Sequence, residues 1–497
     1  MDLVVSNRAA TLEALAARAR AQADHADVLE LRLDDCAPAT EPELRATFAG
    51  LGRPLLAAVN GPEAFGSFSG TDEERLALLA CAERAGADSI DVPWSLAPRL
   101  ASTRARRVVS RHVLEGTPED LSAVLGELER AARPGDRLKL VTHATCAEDG
   151  LRVLALARER ARAGHPIVAF ASGAAGAFTR ILAPIHGSLA TYAAPAGAPA
   201  AATAPGQIPA DVLRAAWPAG GASPRTRVFA VLGRPIAHSL SPRLHGAALR
   251  AAGLDAVYVA CEPESLERFL GLCDASWGGF GVTMPFKAEA ARLATERDAD
   301  VEACGAANTL VRTARGWRAA NTDVGAIRAA VLAGLERVGK PLARAHVVVL
   351  GTGGAARAAL HALRPARART VAGRDTARRE ALAHAMACGA CALAEVGREP
   401  YDVLVHTTPL GSRAQAGELP LAASQLQAGA VVLDAVYDPV RTPLLRAAAA
   451  AGAVPLGGDE WFLRQASAQF RHLTGSEPDA QLMARELALA LQERDQR

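Results

Sequence analysis

The chain has 497 residues, more than one hydrophobic core usually organises, so two or three domains are expected. Apolar residues make up 50% and charged residues 22%, the balance of an ordinary globular protein. Lys and Arg number 55 against 53 Asp and Glu, a net charge of +2, which gives no bulk electrostatic reason for a nucleic-acid or membrane partner. Small anionic substrates stay open, because a few local cations suffice for them. The start, MDLVVSNRAATLEALAARARAQ, has only a three-residue apolar run and lacks the features of a signal peptide. No apolar run approaches the roughly 20 residues that cross a bilayer, and the expected location is the cytoplasm.

Short apolar runs alternate with helical patterns through the first 190 residues. Strands are predicted at Val28–Leu33, Leu55–Val59, Ser89–Val92, Arg107–Ser110, Leu138–Thr142 and Ile167–Ala171. Helices are predicted at Glu73–Ala85, Pro118–Ala132 and Ala147–Arg162, the last ending near Gly164 as a C-cap. Thr117 reads as the N-cap of the second, with Pro118 at its first position. Repeated β-α units of about 25–30 residues suggest a closed (β/α)8 barrel, with an open doubly wound sheet as the rival.

From Ala193 to Pro224 the composition shifts to Ala, Pro and Gly, which reads as a linker. A fresh strand is predicted at Arg227–Gly233, followed by a second α/β pattern. The eight cysteines are scattered, and Cys388 and Cys391 form a lone CxxC without a second pair at zinc-ligand spacing, so no metal is expected.

The strand His346–Leu350 runs into Gly351-Thr352-Gly353-Gly354-Ala355-Ala356. Glycines there let the backbone turn sharply and approach a pyrophosphate set on the following helix N-terminus. A tight βα turn is the bland alternative, but the flanking strand and helix supply the dinucleotide context. The next strand, Arg369–Ala372, ends in Gly373-Arg374-Asp375, with Arg378 and Arg379 a turn later. Those arginines suit a 2′-phosphate and hence NADP, whereas Asp375 would suit a free ribose.

Three polar clusters interrupt the segment upstream: Ser239-Leu240-Ser241-Pro242, Val282-Thr283-Met284-Pro285-Phe286-Lys287, and Ala307-Asn308-Thr309 with Asn321-Thr322-Asp323. Each alone is an ordinary turn or cap. Together they hold the donors that bind a polyhydroxy carboxylate. With GRPIAHSLSP, GVTMPFK, GAANT, NTD, GTGGAARA, TTPLG, DAVYDPVRTPLL and GDEWFLRQA in order, residues 227–490 resemble the shikimate dehydrogenase family. The resemblance implies a substrate domain and a Rossmann NADP domain. It implies that Ser239 and Ser241 bind the substrate carboxylate, that Thr283, Asn308 and Gln465 hold ring hydroxyls, and that Lys287 and Asp323 are the catalytic pair. Gly351, Gly353, Gly354, Ala355, Arg374, Arg378, Thr407 and Tyr437 would hold the nucleotide. Gly281 and Gly373 stand where the family usually has Asn, and Glu460 and Trp461 where a Met is common.

Lys139 is the only lysine before Lys287 and lies in an apolar strand. Burial lowers a lysine's pKa, which makes a nucleophile for a carbonyl, although a lysine snorkelling from a strand end is the ordinary alternative. The segments LELRLD, VVSRHVLEGTPEDL, RLKLVTHATCAEDGLRVL, FTRILAPIHGSLATY and TAPGQI resemble type I 3-dehydroquinate dehydratases, which are (β/α)8 barrels. That resemblance makes Lys139 the imine-forming residue, His112 the general acid/base, Arg180 the carboxylate ligand, and Glu30, Arg32, Thr203 and Gln207 pocket residues. Asn60 replaces an Arg of the family, Ala64 a Glu, and Pro93 the second acid of Asp-x-Glu.

The expected organisation is a barrel over 1–208, a linker over 209–226, a substrate domain over 227–325, an NADP domain over 326–460 and C-terminal helices over 461–497. The implied chemistry is dehydration of 3-dehydroquinate through an imine, then NADPH-dependent reduction of 3-dehydroshikimate to shikimate. A degenerate barrel beside a working shikimate or quinate dehydrogenase, and a metabolite-binding regulator without turnover, are the alternatives. Neither nucleic acid nor membrane is an expected partner.

Overall fold

Runs of β-branched and aliphatic residues pair along the first half into eight strands: β1 (Asp2–Arg8), β2 (Val28–Arg32), β3 (Leu55–Ala58), β4 (Ser89–Pro93), β5 (Arg106–Val113), β6 (Arg137–His143), β7 (Val168–Ser172) and β8 (Ala190–Ala193). The computed structural model describes residues 1–36, 38–100 and 103–496. Neighbours from β1 to β7 pair in parallel, and β8 pairs in parallel with β1. The Leu189 N–H donates to the Ile167 carbonyl at 3.0 Å and brings the β7 and β8 ends together. Val4, Leu56, Val108, Val141, Phe170 and Tyr192 fill the interior as one apolar cluster. The (β/α)8 expectation therefore holds, and the open sheet does not.

Helices α1 (Leu12–Ala21), α2 (Glu41–Phe48), α3 (Asp72–Ala85), α4 (Leu121–Ala131), α5 (Ala147–Arg162), α6 (Phe178–Leu182) and α7 (Ala210–Ala216) return the chain between strands or close the unit. After β4 the described residues hold only the short 3₁₀ turn Ala97–Arg99. Two local expectations change. Helix α4 starts later than predicted, because Asp120 rather than Thr117 accepts from its first turn, at Ala123 N (2.9 Å). Thr117 Oγ1 instead donates to the His143 carbonyl at 2.9 Å and ties the βα loop to β6. The stretch read as linker carries α7, where the Trp217 indole donates to the Ile181 carbonyl at 2.9 Å. Alanine-rich sequence lacks an apolar period but has the best intrinsic helix propensity, which tertiary contacts then exploit.

Contacts divide the described chain into two units, Met1–Arg227 with Asp255–Ser276, and Val228–Leu254 with Trp277–Arg497. In the second, six parallel strands run in the spatial order Gly389–Cys391, Ala368–Ala372, His346–Leu350, Val403–His406, Val431–Asp434, Val454–Leu456. The order reverses between His346–Leu350 and Val403–His406, the point at which doubly wound sheets open a ligand crevice. A mixed sheet pairs Arg227–Leu232 in parallel with Trp277–Val282, which is antiparallel to Thr309–Thr313. Helices Thr322–Arg337 and Gly458–Thr474 share a core in which Trp461 packs with Ile327 and Val331.

Candidate active sites

In the barrel, polar side chains gather at the C-terminal strand ends, where apolar alternation gives way. Glu30, Arg32, His112, Lys139, Arg180, Thr203 and Gln207 all line one pocket, with Ser6, Asn60, Ala64 and Phe65. Lys139 is 3% exposed, and its Nζ donates to Asp91 Oδ2 at 2.8 Å. The second Asp91 oxygen accepts from Ser110 Oγ at 2.5 Å, so both carboxylate oxygens are engaged. The ammonium also stands 4.1 Å from the centre of the Tyr192 ring. Burial pulls the Lys139 pKa down, but the Asp91, Tyr192 and Glu30 charges outweigh it and leave the value above the usual lysine range. This reverses the sequence-based expectation of a depressed pKa. Resting Lys139 is an ammonium ion.

His112 behaves oppositely. Packing around its ring, and then the Lys139 charge, lower its pKa to about 3, so it is a neutral base at ordinary pH. Its ring meets Phe65 edge to face at 6.4 Å and 86°. Phe65 holds φ 59°, a left-handed conformation that costs a non-glycine residue about 1 kcal/mol or more. Arg32 fixes that backbone by donating from Nη2 to the Phe65 carbonyl at 3.2 Å, while its fork grips Asp34 at 2.9 Å twice. Arg180 is 1% exposed; its Nη1 reaches the Tyr192 carbonyl at 3.1 Å and its Nε has no partner among the described residues. Burial brings its pKa down to about 9, which still leaves it charged at neutral pH. A buried guanidinium with donors to spare at a pocket wall has the geometry to pair with a carboxylate. Gln207 Oε1 accepts from Thr203 N at 2.7 Å and its Nε2 donates to Ser6 Oγ at 3.4 Å, closing the opposite wall. A second cavity of about 200 Å³ opens beside His112 and Ala64, where Pro93 and Trp94 also form the wall.

In the second unit the Lys287 Nζ donates to Asp323 Oδ2 at 2.6 Å. Lys287 begins helix Lys287–Leu293 and Asp323 lies in the first turn of Thr322–Arg337. Around them Asn308 is saturated within the protein: Nδ2 donates to Thr322 Oγ1 (2.8 Å) and Gln465 Oε1 (3.3 Å), and Oδ1 accepts from Thr322 N (2.9 Å) and Thr309 Oγ1 (2.9 Å). These bonds tie Asn308 to Gln465, which shares with it the expected role on the ring hydroxyls. Ser241 opens helix Ser241–Ala251 and its N–H donates to Ser239 Oγ at 3.3 Å. Thr283 ends the strand Trp277–Val282 and accepts at its carbonyl from Phe286 N (2.9 Å).

The glycine turn fits a dinucleotide on its own geometry. Gly351 has φ 117°, and Thr407, which donates from Oγ1 to the Leu350 carbonyl at 2.7 Å, fills the space a Cβ would need. Nothing lies within 4 Å of a Cβ on Gly353, which precedes helix Gly354–Ala362, and no side chain caps that helix's first N–H groups. A Cβ on Gly354 would meet Lys287 Cβ at 2.7 Å, which puts this turn against the proton-bearing pair. Asp375 caps helix Thr376–Ala385 by accepting from Arg378 N at 2.9 Å. Arg374 and Arg378 are exposed, whereas Arg379 turns inward to the Gly373 carbonyl at 3.1 Å. Tyr437 stacks on Phe462 at 4.6 Å.

A family model of type I 3-dehydroquinase matches residues 3–222, and one of the shikimate dehydrogenase substrate binding domain matches 231–310. The chain is 31% identical over 480 residues to the bifunctional 3-dehydroquinate dehydratase/shikimate dehydrogenase, chloroplastic, of Arabidopsis thaliana, covering 90% of this chain and 78% of the relative. The chain belongs to that bifunctional family. It is also 35% identical over 275 residues to the shikimate dehydrogenase (NADP(+)) of Shouchella clausii, 54% of this chain and 99% of that one. A solved shikimate dehydrogenase in complex with NADP+ overlays with a TM-score of 0.50 at 30% identity, covering 54% of this chain and 97% of the other.

In this dehydratase/dehydrogenase the sequence-predicted residues of the barrel share one pocket, and Lys287 and Asp323 are in direct contact. Sequence reading missed Asp91, Ser6, Phe65 and Tyr192. Asp91 carried a signal: an acid flanked by Ile90 and Val92 in a buried strand needs a cationic partner. Phe65 carried none, because its position follows from loop geometry. Among the described residues no group of His, Cys, Asp or Glu could hold a metal ion, and no helix is long and apolar enough to cross a membrane.

Proposed function

We propose that the barrel dehydrates 3-dehydroquinate through an imine on Lys139, and that the second unit reduces the product, 3-dehydroshikimate, to shikimate. The carrying observation is the shared pocket of Lys139, His112 and Arg180, with Lys139 anchored at 2.8 Å to Asp91. Arg180 takes the substrate carboxylate and aims the carbonyl at Nζ. After Nζ gives up its proton it adds to the carbonyl, and water leaves as the imine forms. His112, neutral at rest, removes a proton from the adjacent carbon while the C–H electrons move into the iminium. The protonated imidazole returns that proton to the departing β-hydroxyl, and hydrolysis frees the enone and the lysine. The net change is loss of one water.

In the second unit Gly351, Gly353, Gly354 and Ala355 would hold the pyrophosphate, Arg374 and Arg378 the 2′-phosphate, and Thr407 and Tyr437 the remaining nucleotide. NADPH, when bound, supplies the hydride. Lys287 delivers a proton to the carbonyl oxygen as it becomes an alcohol, and Asp323 keeps that ammonium charged and aimed. Ser239 and Ser241 take the carboxylate, and Thr283, Asn308 and Gln465 the ring hydroxyls. Eight free cysteines support a reducing, cytoplasmic setting.

Purified protein mixed with 3-dehydroquinate, without nucleotide, should show the ultraviolet absorbance of a conjugated enone. Lys139→Ala should abolish it, together with borohydride trapping of substrate. NADPH oxidation by 3-dehydroshikimate should persist in that variant and vanish in Lys287→Ala. No enone from protein that still oxidises NADPH would reduce the proposal to the dehydrogenase alone, the outcome that Asn60, Ala64 and Pro93 favour.

A further inference from the structure

Asp323 has two buried oxygens, and Lys287 occupies only one. The other, Oδ1, accepts from the indole Nε1 of Trp461 at 3.1 Å. Trp461 is 5% exposed and sits in the first turn of helix Gly458–Thr474, an element separate in sequence from those carrying Lys287 and Asp323. We infer that Trp461 is a positioning residue for proton transfer, holding the Asp323 carboxylate in one plane through an indole N–H bond. The inference rests on the assignment of Lys287 and Asp323 as the proton-bearing pair.

A carboxylate's terminal torsion is broad and nearly unrestrained by its own rotamer preferences, so a single bond to Lys287 fixes distance but not plane. A second donor on another helix, at the second oxygen, removes that freedom. Trp461 is buried in the same apolar cluster as Ile327 and Val331, so its N–H is presented from a packed side chain. Among the described residues Lys287 is the one charged group bonded to Asp323, and the backbone N–H of Asp323 is engaged by Asn321 Oδ1 at 3.2 Å. Glu460, the neighbour of Trp461, faces away and pairs with Arg464 at 2.6 Å.

The test compares full-length Trp461→Phe and Trp461→His with the parent and with Lys287→Ala in NADPH-linked reduction of 3-dehydroshikimate from pH 5 to 9. Phe keeps an aromatic ring without the donor; His restores a ring N–H. Trp461→Phe should lower kcat by roughly tenfold to a hundredfold, the loss of one hydrogen bond to a charged group, with KM changed less than threefold. Trp461→His should recover at least a third of the lost rate. Parental kcat and pH profile in Trp461→Phe, with Lys287→Ala inactive, would overturn the role of Trp461 alone. Full activity in Lys287→Ala would overturn the underlying pair. If Trp461→Phe does not fold, Trp461→His decides: a kcat within threefold of the parent supports the bond, and a loss of a hundredfold or more with an unchanged KM refutes it.

Discussion

Removing the Asp91 carboxylate while keeping its shape, Asp91→Asn, should destabilise the barrel and reset the charge of Lys139. Asp91 is fully buried and Lys139 has 4% of its side chain exposed, with 2.8 Å between them. Truncating one partner of such a pair leaves an uncompensated charge and costs about 3–5 kcal/mol, of a total stability of about 5–15 kcal/mol. Lys139→Met should cost a similar amount, because Asp91 would keep only its bond from Ser110. The double variant Asp91→Asn/Lys139→Met removes both charges and should fall short of the summed losses by about 3 kcal/mol. Native-state hydrogen exchange, read by mass spectrometry on peptides from β4 and β6, localises the effect to the barrel of the intact chain. Burial is the largest influence on Lys139 and acts downward, so losing Asp91 should also drop its pKa below the usual range, visible by NMR of the ε-amino group. Additivity of the two substitutions within about 0.5 kcal/mol would refute the account of Lys139 as a buried, compensated ammonium.

Three further outcomes follow from the same coordinates. His186 and His245 are 2% and 1% exposed, and burial lowers their pKa values to about 4 and about 3. A histidine whose folded pKa is depressed stabilises fully above its unfolded value near 6.5 and loses that stability as pH falls toward the folded one. Each should therefore cost about 2 kcal/mol at pH 5, so the urea midpoint should drop between pH 6.5 and 4, and His245→Asn should flatten that drop; a midpoint constant over this window would exclude the neutral assignment. Ala64→Glu reaches the cavity of about 200 Å³ beside His112 and should raise dehydratase kcat about tenfold by restraining the ring; an unchanged rate would mean Phe65 already does this. Arg378→Ala should raise the NADPH KM about tenfold and leave NADH unaffected; equal losses with both nucleotides would place the 2′-phosphate elsewhere.

The chain's pattern disclosed six of the eight barrel strands, because β2 to β7 are buried runs of aliphatic residues bounded by turns. Strand β1 was hidden by Ser6 and Asn7, which are polar yet fully buried: the Ser6 hydroxyl donates to Glu30, and Asn7 donates to the Val5 carbonyl at 2.9 Å. Polarity there marks the pocket and not the surface. Strand β8 has only four residues and lies in an alanine-rich stretch, too short to show alternation. For the sites, residue identity carried the chemistry and geometry carried its sign. A lone lysine in an apolar strand was legible as buried, but the direction of its pKa depended on Asp91, 48 positions away. Likewise Trp461 was legible only as a departure from a motif, since its partner is 138 positions away.

Both sites rest on a lysine–aspartate pair, and the two differ in what the surroundings let the proton do. Lys139 and Asp91 have side chains 4% and 0% exposed, with Tyr192 over the ammonium, so a proton leaving Nζ can pass only to pocket groups or substrate. A lysine so enclosed suits covalent work: once Nζ is bonded to carbon, the Asp91 carboxylate stays beside the iminium and favours its positive charge, the electron sink that elimination needs. Lys287 and Asp323 are 16% and 6% exposed, with Lys287 at a helix start against the glycine turn. That pair can be recharged from solvent after each proton is delivered, which a reductase must do every turnover. On the proposed mechanism the same two residue types serve as nucleophile in one unit and proton carrier in the other, and the variable that separates them is access to water. Opening the barrel pair to solvent, as Tyr192→Ala would, should cost the lyase its iminium stabilisation and lower kcat by an order of magnitude or more, with trapping of substrate on Lys139 retained. Lost trapping with unchanged folding would mean that Tyr192 acts on the attack itself and not on the intermediate it encloses.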